Sequence, residues 1–202
     1  MAKSKREAVD KTTEQKIKEA AQQVFTQKGY AATRTRDIAE AAGINLALLN
    51  YYFRSKEKLF EIIMMEKLAR FFGTVAPLFD DPSTTLDQKI SAVAEGYIDM
   101  LLQSPDLPLF VLSEIRANPE RFLSKIPLAK VLESDFFRQL KTIRPDLHPV
   151  HFMMNIVSLS VFPFIMKPVL ESAGIVTPKT FETIARERKK LIPQWISAML
   201  KP

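Results

Sequence analysis

"TRTRDIAEAAGINLALLNYYFRSKEKLF", residues 33–60, decides how this chain is read. Thr35 to Ala42 and Leu46 to Phe53 each have helical apolar spacing, and Gly43-Ile44-Asn45 separates them. Two short helices joined by a tight, glycine-containing turn form a helix-turn-helix. Gly43 suits the turn because a residue that ends a helix in the left-handed conformation is best without a β-carbon. Ile38, Ala39, Ile44, Leu49 and Phe53 are the expected small core.

Winding the second of these helices at about 100° per residue leaves Ala47, Leu48, Asn50 and Tyr51 away from the Leu49–Phe53 side. An ordinary solvated helix carries Lys, Glu or Gln there. Apolar and aromatic groups on an outer face need a partner. One partner is DNA, since apolar groups meet thymine methyls and Asn pairs with an adenine edge. The other is the rest of the chain, packed on Leu48 and Tyr51.

The flanks favour DNA. Arg36 opens one helix and Lys56 the next. A cation at a helix N-terminus opposes the macrodipole, at a cost of about 0.3–1 kcal/mol. A phosphate at that point reverses the sign. Arg36 also has the reach for a guanine edge, and the tail "KSKR" at 3–6 adds loose phosphate contacts. Residues 1–70 carry 14 Lys and Arg against 9 Asp and Glu, and the remainder 15 against 14. Nearly all of the net charge of +6 therefore sits at the end that carries the helix-turn-helix, which suits a polyanion-binding end and equally an ordinary solvated surface.

Outward from this stretch, the whole chain reads as all-α, with about nine helices. Ile17, Ala20, Ala21, Val24 and Phe25 make one stripe over 13–28, with Thr12 or Thr13 as cap and Gly29 as stop. A helix from Ser55 runs to about 73–77. Others are expected at 86–103, 106–117, 119–143, 149–170 and 178–200, with Pro105, Pro119, Pro149 and Pro178 as start signals. The organisation is a head, 1–54, with the helix-turn-helix at about 34–53, and a body, 55–202.

The head resembles the DNA-binding head of the tetracycline-repressor (TetR) family. The resemblance rests on Gly29-Tyr30, Thr33, Arg36-Asp37-Ile38-Ala39, Ala42-Gly43-Ile44, Leu49, Tyr52-Phe53 and Ser55-Lys56-Glu57-Lys58-Leu59, and covers about residues 13–65. It implies a dimeric, ligand-responsive transcriptional regulator, usually a repressor, in the cytoplasm. It implies that Thr35 and Lys56 contact phosphate, that Arg36 contacts a base, and that residues 45–52, with Asn45, Leu46, Ala47, Leu48, Asn50, Tyr51 and Tyr52, form the recognition helix. Leu46 and Leu48 stand where the family usually has Lys, Gln, Ser or Thr, and Asn50 where Tyr is common, so the operator sequence is not implied.

The body is read from its apolar helices. Residues 149–170 are apolar on nearly every side, and such a helix is buried on every side. That requires neighbours on two fronts, its own body and a second subunit. Phe152, Ile156, Phe181, Ile184, Trp195 and Met199 are the expected contacts of a four-helix dimer interface, and Pro163 and Pro193 are expected to kink the helices. Two heads on half-sites about one DNA turn apart call for a palindromic operator on double-stranded DNA. Tyr97, Glu114, His151 and Asn155, polar residues within apolar helices, are the expected lining of a pocket for a small apolar or amphipathic effector.

Other classes find little support. With no Cys and 5 unclustered Gly, there is no thiolate metal site and no glycine-rich phosphate loop. His148 and His151 share a helix face but lack a clear third ligand. We expect no cofactor, no metal, no catalytic residues and no membrane span. A helical small-molecule binder or enzyme that has lost DNA function is the alternative.

Overall fold

The computed structural model describes residues 2–117, 119–124, 126 and 128–201, and of residues 2–11, 121 and 128 it describes the backbone alone. Among the described residues there are eleven helical segments and no strand. They fall into two compact units, Met1–Lys67 and Leu68–Pro202.

The first unit holds α1 (Ala2–Ala32), α2 (Thr35–Ala41), α3 (Leu46–Phe53) and the start of α4 (Lys56–Asp80). The α1 stripe is buried as its spacing predicts, with Ile17, Ala21, Val24 and Phe25 inside. Ile38 and Ala39 from α2, Leu49 and Phe53 from α3, and Leu59, Phe60 and Ile63 from α4 close the core. Ile44, expected inside, is half-buried. Thr12 and Thr13 do not start α1, which runs back to Ala2 through a segment rich in Ala, Lys, Arg and Glu, all favourable in helices. Gly29 breaks it at φ 74°, ψ 163°.

The turn between α2 and α3 is built from backbone hydrogen bonds. Gly43 N–H donates to Glu40 O and Ile44 N–H to Ala39 O, both at 3.0 Å, with Gly43 at φ +65°. This is the Schellman ending, and it satisfies two carbonyls that the end of α2 would otherwise leave open. Asn45 then caps α3, its Oδ1 accepting from Leu48 N–H at 2.8 Å.

The second unit contains the rest of α4, then α5 (Leu86–Gln103), α6 (Leu107–Ala117), α7 (Pro119–Leu123), α8 (Leu128–Glu133), α9 (Asp135–Ile143), α10 (Pro149–Ser172) and α11 (Pro178–Leu200). Its core joins Ile90, Ala94, Ile98 and Leu101 of α5 to Phe152, Ile156 and Phe164 of α10 and Phe181, Ala185, Ile192 and Ile196 of α11. The single helix expected over 119–143 is three. Ser134 stands in extended backbone (φ −65°, ψ 164°) ahead of α9, and Pro127 disfavours helical backbone at the residue before it. Conversely, α4 runs past its expected end to Asp80, with Pro77 inside it and Val75 and Phe79 buried.

Helix α10 is continuous through Pro163 and Pro168. A proline has no N–H to give to the carbonyl four residues back. For Pro163 that carbonyl is Leu159 O, and Arg188 of α11 replaces the missing donor, with Nε at 3.1 Å and an Nη at 2.8 Å. The helix-breaking residue thus becomes the attachment point between the two longest helices of the unit.

Candidate nucleic-acid interface and cavity

The head has one face sealed and the opposite face open. Leu49 and Phe53 are 0% and 3% exposed, whereas Tyr51, two positions along, is 77% exposed. Ala47, Asn50 and Asn45 are also exposed, and Leu46, Leu48 and Tyr52 are half-buried. Tyr51 and Tyr52 pack edge-on at 5.3 Å. Arg36 is exposed and Thr35 half-buried in the first turn of α2. Asp37 accepts from Arg34 N–H at 2.9 Å and pairs with Lys28 at 3.2 Å, and these contacts hold its carboxyl below its usual range.

Two expected contact residues have prior engagements. Asn45 spends its carbonyl oxygen on the α3 cap and keeps only its amide N–H groups for a base edge. Lys56 is the more committed of the two. Its ammonium donates to Tyr30 O and Thr33 O, each at 3.0 Å, and lies 4.3 Å over the Tyr30 ring. The cation that opposes the start of α4 is therefore offset by carbonyls around the end of α1, without a phosphate. Arg34 and Arg54 are exposed beside α2 and at the end of α3, and were not among the expected contacts. Arg54 adopts φ 61°, a conformation uncommon outside glycine. The charge pattern alone could have flagged both. The side chains of the 3–6 tail lie outside the described residues.

The second unit holds a partly open cavity of about 290 Å³. Helix α4 contributes Phe71, Phe72 and Phe79, α5 Val93 and Tyr97, α6 Val111 and Ile115, α9 Phe136 and Phe137, and α10 Met153 and Ile156. Among the described residues, Tyr97 is the only lining residue with a polar side-chain group. Its hydroxyl has no hydrogen-bond partner among the described residues. Burial pushes its pKa up to about 12. Of the four residues expected to line a pocket, only Tyr97 does so. Glu114 is half-buried and absent from the lining, and His151 and Asn155 are exposed on α10. The wheel of an all-apolar helix does not show which side faces inward, and here the cavity takes Met153, Ile156 and Val157.

The expected interface residues also divide. Phe152, Ile156 and Phe181 are 2%, 5% and 3% exposed within one chain, so they are packed inside the protomer. Ile184 and Met199 are exposed, and Trp195 is half-buried with Arg188 5.0 Å over its ring. Asn155 donates to Met199 Sδ at 3.7 Å on the same outer side. Within one chain, α10 is covered on the front that faces its own body. Its Met154, Val157, Phe162 and Val169 are exposed, and by length and composition it could cross a membrane.

Residues 17–63 match the family model described as bacterial regulatory proteins, tetR family. A Bacillus subtilis protein described as a probable helix-turn-helix transcriptional regulator, YttP, is 24% identical over 176 residues, covering 83% of this chain and 84% of its own length. Among solved structures, Salmonella enterica GusR superposes with a TM-score of 0.61 at 17% identity, covering 95% of this chain and 96% of its own. Bacillus subtilis FadR in complex with stearoyl-CoA gives 0.55 at 16% identity, covering 88% and 96%.

Proposed function

We infer, for a chain that belongs to the TetR family of bacterial transcriptional regulators, that its DNA-binding activity is sequence-specific repression at a palindromic operator, released by a small effector. The observation that carries the reading is the face of α3 opposite its core: Ala47, Asn50 and the 77%-exposed Tyr51 project from a helix whose other side is sealed. These groups suit a major groove, the tyrosine and alanine against thymine methyls and Asn50 against an adenine edge. Arg36, beside them on α2, reads a base, while Thr35, Arg34 and Arg54 hold phosphates.

Regulators of this family act as dimers. We assign the dimer contact of this chain to the outer side of α10, through Met154, Phe162 and Val169, with Ile184 and Met199 of α11. A single short recognition helix reads few bases. Two, on half-sites roughly 34–36 Å apart, double the contacts and impose two-fold symmetry on the operator. The cavity of the second unit is the effector site, and the protein works in the cytoplasm, where its DNA is.

Selection of bound sequences from a random DNA pool tests this reading. The expected product is a palindrome with half-sites about one turn apart. Arg36→Ala then weakens the selected operator by about tenfold or more, the 1–3 kcal/mol of a bidentate base contact, and random DNA far less. Recovery of no preferred sequence rejects specific binding.

A further inference from the structure

The cavity says more about its ligand than that it is small. We propose that it takes an uncharged, mostly hydrocarbon molecule with one hydrogen-bonding group, such as an alcohol, phenol or ketone, anchored by Tyr97. This rests on the reading of the cavity as the effector site.

Protein interiors hold few voids larger than a water molecule, so a space of about 290 Å³ is no packing remainder. It is about twice the roughly 150 Å³ apolar cavity that stays dry and admits benzene. A chain of about ten carbons or two aromatic rings fits that scale. The described lining is Phe, Leu, Ile, Val and Met apart from Tyr97. Water has too few polar partners there to be held.

Charge decides the class. Among the described residues, no lining side chain is ionisable at neutral pH. Lys89, the buried cation of this unit, is committed to Asp135 and to Phe79 O, and it does not line the cavity. A carboxylate or phosphate seated inside this space would lose its water and gain no partner among the described lining residues, at a cost of several kcal/mol. The ligand class thus differs from stearoyl-CoA, which FadR holds.

Tyr97 supplies the specificity. A hydroxyl left unpaired among apolar side chains forfeits hydrogen-bond energy that a matching ligand restores. The phenol remains a donor throughout the neutral range. A ligand oxygen placed against it gains both the bond and the burial of its hydrocarbon.

Calorimetric titration of the full chain at pH 7 with 1-decanol and 4-phenylphenol, against decanoate and stearoyl-CoA, tests the proposal. Both neutral probes are expected to bind, and decanoate to bind at least about a hundredfold more weakly than decanol. Tyr97→Phe is expected to weaken decanol about three- to tenfold, while leaving the melting temperature of the ligand-free protein unchanged or raised. A folded Tyr97→Phe that binds decanol undiminished overturns the proposal. So does decanoate or stearoyl-CoA binding as tightly as decanol, or failure of both neutral probes to bind. Fluorescence anisotropy of the selected operator separates the two readings. Decanol that binds through Tyr97 without releasing the operator upholds the ligand chemistry and rejects the effector role.

Discussion

Gly43 holds φ at +65° with nothing within 4 Å of where a β-carbon would stand. The demand for glycine is therefore conformational and owes nothing to crowding. Gly43→Ala should cost about 1–2 kcal/mol, read as a shift in the denaturant midpoint, with α3 still formed. An unchanged midpoint would show that the turn tolerates a side chain. Lys56 makes a different prediction from the one its position suggests. With two of its donors on Tyr30 O and Thr33 O, Lys56→Ala should destabilise the head by about 1.5–3 kcal/mol, the range for charge-assisted hydrogen bonds. The salt slope of operator binding should fall by less than the one unit of a pure phosphate contact. A full unit with no loss of stability would return Lys56 to the phosphate role. The sequence shows a lysine opening a helix; the two carbonyls that receive it come from residues more than twenty positions earlier and are set by the packing of α1 on α4.

At the scale of elements, buried polar ties hold apolar helices in register. Lys89 of α5 is fully buried and paired with Asp135 at the start of α9, and Gln139 links that carboxylate to Thr84 O at 2.8 Å. Removing one partner leaves a buried charge without compensation. Asp135→Asn should lower the melting temperature more than Arg186→Ala, which breaks an exposed pair on α11. Lys89→Met with Asp135→Leu should recover most of the loss. The hydrogen bonds from Lys89 and then Gln139 hold the Asp135 carboxyl below its usual range. Its folded pKa is thus below its unfolded value of about 3.9. The stability it adds is present above that value and disappears as pH falls through the folded one. Parent protein should lose this part below about pH 4, and Asp135→Asn should not. Helices α3 and α5 could be read to their ends because caps and apolar spacing agree, as with the Thr85 cap that accepts from Gln88 N–H. The three helices within 119–143 could not, because the sequence there shows no strong break at Ser134. That residue leaves helical backbone while its hydroxyl donates to Val131 O.

For the whole molecule, the proposed dimer contact is the outer side of α10. Phe162, 60% exposed at its middle, should be decisive: Phe162→Glu should yield a folded monomer by light scattering and lose most operator affinity. A dimer that survives the substitution would move the interface elsewhere. By itself, the sequence determined the all-helical class, the helix-turn-helix and its outward groups, because these follow from spacing within one or two turns of helix and from a glycine that the turn requires. Only the tertiary structure decided which side of α10 faces its own chain, that Phe152, Ile156 and Phe181 are core, that Tyr97 brings a polar group to the cavity, and where Lys56 places two of its donors. A helix apolar all round has no sidedness until its neighbours are placed, and a hydrogen bond to a distant carbonyl leaves no mark on the spacing of residues.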